Sequence, residues 1–204
     1  EILLAIAAVQ LGTSYQMMVK GGWTFVYDRS FKGLIGDKIS CRQRENFIEA
    51  FQKYHEVSVI EHKLELSNFL CSVHNWLSMQ IPVIVNTDSF WCPWSSAYQK
   101  RHYLHSFSVV GINENELVCS DPYITEKKLY VSLTDIYPGV RHCFTVHRKN
   151  NLVTTYNTIL ALQEDICFLL KNGNSAFNAI HTFADEVKNI NIMSECQNYK
   201  KELY

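Results

Sequence analysis

The sequence predicts an α+β chain with segregated elements, helices first, a small antiparallel sheet second and a helical tail third. Three observations carry that prediction. Residues Glu1 to Leu11 are apolar on nearly every side and end at Gly12, the pattern of a central helix buried all round. From Pro82 onward the apolar pattern becomes that of short strands. Beyond Asn151 it returns to helical spacing.

Each element follows from local chemistry. Tyr15 to Lys20 can make a short helix before Gly21-Gly22, and Trp23 to Tyr27 alternates as a strand. Ser40 with Gln43 three residues on has the form of a capping box, and Phe47, Ile48, Phe51 and Tyr54 follow at helical spacing, so a helix is expected over Cys41 to Tyr54. Val57 to Ile60 reads as a strand. Leu66, Phe69, Leu70, Val73 and Leu77 share a helical face that Pro82 closes off before the strand Pro82 to Val85. Phe107 to Ile112 and Leu117 to Ser120 flank Asn113-Glu114-Asn115 and predict an antiparallel hairpin. Leu129 to Leu133 and His142 to His147 add two strands, and Arg148 to Asn151 marks a boundary. Leu152 to Leu170 and Ala176 to Ile190 read as two helices around Asn172-Gly173-Asn174. The expected domains are 1–150, the main body, and 151–204, an incomplete helical extension.

Composition narrows the function classes. The 204 residues are 47% apolar and 13% aromatic, enough for an ordinary core. Nineteen basic residues face twenty acidic ones, without a run of like charge that would track nucleic acid or an anionic membrane. Seven scattered cysteines, with no CxxC pair, read as reduced thiols of a cytoplasmic protein. Ile2 to Val9, the longest apolar run, is too short to span a bilayer. No cofactor is expected, and neither a GxGxxG nor a GxxxxGK[ST] motif occurs. The start at Glu1, without an initiator methionine, reads as part of a longer protein.

The segment that carries chemistry runs Ile81-Pro-Val-Ile-Val-Asn-Thr-Asp-Ser-Phe-Trp-Cys-Pro-Trp, then Tyr98, His102 and His105-Ser-Phe-Ser-Val-Val-Gly, with Asp121-Pro122 beyond the hairpin. His105 at the start of one hairpin strand and Asp121 just past the end of its partner lie at the same end of the hairpin. A carboxylate there fixes the tautomer of the imidazole, which can then take a proton from a thiol and return it to a leaving group. On spacing alone, His105 is equally a polar residue at a strand end and Asp121-Pro122 equally a turn. His102 and His105 do not share a strand face and no third ligand is evident, so no metal site is expected. His102 reads as a donor behind the site or a substrate contact. Phe90, Trp91, Trp94, Tyr98 and Tyr103 read either as core or as a wall for an acyl chain.

From Asp88 through Trp94, Tyr98, His102 and His105 to Gly111 and Asp121-Pro122, the sequence resembles the butirosin-biosynthesis acyltransferase family, whose N-terminal domain has a papain-like cysteine peptidase fold. The His-strand-turn-strand-Asp-Pro part is also similar to bacteriocin-processing cysteine peptidases. The resemblance extends more weakly to the opening helix and to Gly21-Gly22-Trp23. It implies a papain-like fold, a central buried helix packed on a small antiparallel sheet, with His105 as base and Asp121 as orienter of a Cys-His-Asp triad. It further implies substrate contacts at His102, Tyr98, Trp94, Asp88 and Trp23.

In that family the nucleophilic cysteine caps the central helix, which here opens at Glu1 with no cysteine. The thiol is therefore expected immediately upstream of Glu1. Within the sequence Cys41, after Ser40 and beside Arg42 and Arg44, is the rival. Cys92 belongs to the aromatic loop, and Cys71, Cys119, Cys143 and Cys167, in apolar periodic settings, read as core. The implied activity is acyl transfer from a thioester donor such as an acyl-carrier protein to a small amine in secondary-metabolite or peptide biosynthesis. The alternatives are a cysteine peptidase or thioesterase, and a binding module on the same fold without the nucleophile. Homodimerisation through the helical tail is left open.

Overall fold

The computed structural model describes residues 1–22, 25–40, 46–114, 116–149, 157–172 and 174–202. In chain order they form helix α1 (Ile2–Gln10), strands β1 (Val26–Tyr27) and β2 (Ile39–Ser40), helix α2 (Phe47–Tyr54), strand β3 (Val57–His62) and helix α3 (Leu66–Ser78). Strands β4 (Val83–Asp88), β5 (Leu104–Asn113), β6 (Glu116–Ser120) and β7 (Leu129–Ser132) follow, then the short helix α4 (Leu133–Ile136) and strand β8 (Val140–Arg148). Helices α5 (Thr158–Asn172), α6 (Asn174–Asn189) and α7 (Ile192–Glu202) complete the chain, with 3-10 turns at Gln16–Val19, Ile35–Lys38, Ser89–Trp91 and Tyr137–Gly139. The class is α+β, as the segregated periodicities predict.

Two compact units divide the chain, one of Glu1–Gln16 and Phe51–Thr154, the other of Met17–Ala50 and Thr155–Tyr204. This division differs from a single boundary at 150, because Met17–Ala50 belongs with the helical tail.

The first unit is built on an open antiparallel sheet of six strands in the order β3-β8-β4-β5-β6-β7. Strict alternation sends Val83 and Val85 of β4, Phe107 and Val109 of β5, Leu117 and Cys119 of β6 and Cys143 of β8 to one buried cluster. Helix α3 covers that cluster with Phe69 and Val73, four residues apart on one helical face. Glu114 at the β5–β6 turn has φ of 52°, the left-handed geometry expected there.

Helix α1 lies against β8 and buries Leu3, Leu4, Ala7 and Ala8. It is not buried all round, because Ile2 and Ile6 are each 40% exposed and Val9 is 65% exposed. The uniform apolarity of its sequence overstates its burial. Gly12 ends it in a left-handed turn at φ +67°, where the Gly12 N–H reaches the Val9 carbonyl and the Thr13 N–H the Ala8 carbonyl. Ser14 Oγ then meets His55 Nδ1 at 3.0 Å, which ties the end of α1 to the end of α2.

The second unit sets α6 on the β1–β2 ribbon. Phe183 packs edge-on against Phe25 and Tyr27, at 5.8 and 5.4 Å between ring centroids. One turn later Glu186 accepts from Tyr27 Oη, from Arg29 Nε at 2.7 Å and from Lys38 Nζ at 3.3 Å. These donors hold the Glu186 carboxyl down at about 2, while burial and the same carboxylate push the Tyr27 phenol up to about 12. Ser40 does not cap a helix but pairs with Val26 in β2, and Asn46 caps α2 by accepting from the Ile48 N–H at 2.9 Å. Of the expected helix over Cys41 to Tyr54, residues 41–45 lie outside the described residues. Helix α7 and the ribbon strand β2 have no counterpart in the sequence reading.

Candidate active site

The β4–β5 ladder pairs Thr87 with His105 and Asp88 with Leu104, while the β5–β6 ladder pairs Val109 with Cys119 and Ser108 with Ser120. Side chains alternate along each strand, so His105 falls on the face of Phe107 and Val109, and Asp121 on that of Leu117 and Cys119. These are one and the same face, at one end of the sheet.

His105 Nε2 lies 2.5 Å from Asp121 Oδ2. Asp121 is fully buried, and its carboxylate gains two further donors, the Trp94 indole Nε1–H at 2.8 Å on Oδ2 and the Tyr123 N–H at 3.2 Å on Oδ1. A buried carboxylate needs such saturation, because each unpaired oxygen lone pair would carry its full desolvation cost. An acceptor-only partner assigns the imidazole proton to Nε2, which leaves Nδ1 with its lone pair and, among the described residues, without a hydrogen bond. The His105 side chain is 17% exposed. The arrangement can therefore accept a proton at Nδ1 and stabilise the resulting imidazolium through Asp121.

A second pair stands at the end of β4. His102 Nδ1 lies 2.8 Å from Asp88 Oδ2, and the Phe90 N–H donates to Asp88 Oδ1 at 3.0 Å. Those two bonds, with Arg141 Nη2 at 3.5 Å, hold the Asp88 carboxyl below its ordinary range. The Phe90 ring stacks on the His102 imidazole at 4.4 Å and an interplanar angle of 7°.

The thiols nearest these carboxylates are unsuited to attack. Cys92 and Cys119 are fully buried, and burial first, then the Asp121 and Asp88 charges, pushes the Cys92 thiol up to about 12. Burial likewise raises Cys119, and it raises Cys143 to about 12. Cys71 and Cys167, expected in the core from their apolar surroundings in the sequence, are exposed instead on their helices, as is Cys196, and Cys41 lies outside the described residues.

Of the residues that sequence singled out, His105, Asp121 and Trp94 come together at one carboxylate, and His102 and Asp88 at another. Trp94 serves the orienter, since its single N–H is taken by Asp121. Tyr98 joins neither pair, its hydroxyl instead accepting from Gln99 Nε2 at 3.2 Å. Trp23 lies outside the described residues. Sequence reasoning missed Arg141, Thr87 and Gly139. An added Cβ on Gly139 would stand 2.8 Å from both Thr87 Oγ1 and the Trp91 side chain, so only glycine fits beneath the aromatic turn. Among the described residues no three His, Cys, Asp or Glu side chains converge to hold a metal, and no helix is long and apolar enough to cross a membrane. In comparisons with known proteins, no family model and no curated protein matches the chain.

Proposed function

We propose that this protein is a cysteine-dependent acyltransferase with a papain-like site, in which His105 is the base and Asp121 its orienter. The single observation that carries the reading is the 2.5 Å bond between His105 Nε2 and a fully buried Asp121 that accepts from three donors, which leaves Nδ1, unpaired among the described residues, to receive a proton. We assign the nucleophile to a cysteine preceding Glu1, at the N-terminus of α1. In this reading the oxyanion donors are the backbone N–H groups at the start of that helix.

In the first half, the thiol proton passes to His105 Nδ1, the thiolate attacks the donor thioester, and His105 returns the proton to the departing thiol. In the second half an amine attacks the acyl-enzyme and the cysteine leaves. Thioester exchange is nearly balanced, and amide formation draws the sequence forward. Tyr123 and Ile124, just after Asp121, are exposed apolar side chains and suit an acyl chain.

Timed alkylation of the full-length protein with iodoacetamide tests the reading. One cysteine should react far faster than the rest, and His105→Ala should slow it on the order of 10²-fold or more. Equal labelling rates in the two proteins would remove the catalytic reading and leave a binding module.

A further inference from the structure

Two histidine–aspartate pairs occupy the β4–β5 end of the sheet, and the mechanism above uses one. His102 is held by its Nδ1 bond to Asp88 at 2.8 Å and by the parallel Phe90 ring at 4.4 Å. Its own segment is pinned as well, since the Ser89 N–H donates to the Tyr103 carbonyl at 2.8 Å and the Tyr103 N–H to Ser89 Oγ at 3.1 Å. An ordinary surface ion pair contributes little and has no need of such fixing. Yet the His102 side chain is 66% exposed, against 17% for His105. The bond to Asp88 consumes Nδ1–H, so the Nε2 lone pair is the one that faces solvent. Asp88 pairs with Leu104 and Thr87 with His105, so the two histidine–aspartate pairs belong to adjacent rungs at one end of the β4–β5 ladder.

The chemistry of amide formation has a use for a second such group. An acceptor amine arrives at neutral pH as an ammonium ion. To become an amide nitrogen it sheds two protons as the N–C bond forms and the C–S bond breaks. The departing cysteine sulfur takes back one, and the other must reach solvent. The sequestered His105 is suited to the proton that shuttles to sulfur. We propose that His102 is a second catalytic base, whose Nε2 takes the first proton from the ammonium acceptor and releases it to water. This rests on the acyl-transfer reading.

The experiment uses the full-length protein with the acetyl thioester of N-acetylcysteamine as donor and glycinamide as acceptor, the acyl-enzyme being followed by intact mass. In His102→Gln, transfer to glycinamide at pH 7 should fall on the order of 10²-fold while acylation slows far less. Added imidazole, or a pH above the acceptor's own pKa where the amine is already neutral, should restore transfer. Transfer at the wild-type rate in His102→Gln, or a loss that neither imidazole nor alkaline pH repairs, overturns the inference and leaves the acyltransferase standing. If the wild-type protein accumulates no acetyl group on cysteine, the acyl-transfer reading fails and the second base falls with it.

Discussion

Thr87 stands directly across the β4–β5 ladder from His105, and its fully buried hydroxyl has no hydrogen-bond partner among the described residues. A buried polar atom without a partner carries a cost of about 1–3 kcal/mol that an apolar isostere removes. Thr87→Val should therefore leave stability to urea unchanged or raise it by about 1 kcal/mol. A loss of more than about 1 kcal/mol in Thr87→Val would show that the hydroxyl has a partner after all.

Trp94 carries the opposite expectation. Its indole is one of the three donors on the buried Asp121 carboxylate. Trp94→Phe keeps most of the ring and removes that donor, at a cost of about 1.5–3 kcal/mol for a bond to a charged group. Urea denaturation of the two proteins, read by far-UV circular dichroism, measures the difference.

Gly139 approaches Thr87 and Trp91 too closely for a methyl group. Gly139→Ala should displace the Trp91 ring and cost about 1–3 kcal/mol by overpacking. Tryptophan fluorescence of the native state should shift in this variant and stay unchanged in a control substitution at the exposed Lys128.

The cysteines should fall into two classes. Cys71, Cys167 and Cys196 are exposed and should titrate with an aromatic disulfide reagent in native buffer. Cys92, Cys119 and Cys143 are buried, with thiols raised by desolvation, and should react only after unfolding. Early modification of Cys92 in the native state, located by peptide mass, would contradict its burial.

Glu186 sets an acid limit on the second unit. Its carboxyl is held down at about 2 from an ordinary 4.5, so the stabilisation is complete above 4.5 and is lost as pH falls from 4.5 toward 2. Hydrogen exchange in α6 should accelerate across that window, and Glu186→Gln should flatten the dependence.

Much of the sheet is legible in the sequence because alternation alone decides which side chains are buried. Val83, Val85, Phe107, Val109, Leu117 and Cys119 all follow it, and it places His105 and Asp121 on a shared face. The His102–Asp88 bond is harder to see, since Arg141 reaches Asp88 from β8, whose pairing with β4 shifts register between Asn86 and Thr87. Ser40 and Gln43 have capping-box spacing, yet Ser40 is claimed by a ladder partner, Val26, well before it in the sequence. Local chemistry permits both outcomes, and a long-range pairing decides. Helix α7 has a polar sequence with Ile192 and Met193 exposed, so no apolar stripe announces it.

The interleaving of the two units bears on biosynthesis. Residues 17–50 leave the ribosome early, but the side chains they bind, Phe183 and Glu186 on α6, are more than a hundred residues later. The β1–β2 ribbon must therefore wait, its Tyr27 and Phe25 rings uncovered, while the whole six-stranded sheet is made. A two-stranded ribbon is marginal alone. Nascent chains arrested before α6 should keep this early segment open to proteases and chaperones, and synthesis through Glu186 should close it in a single late step.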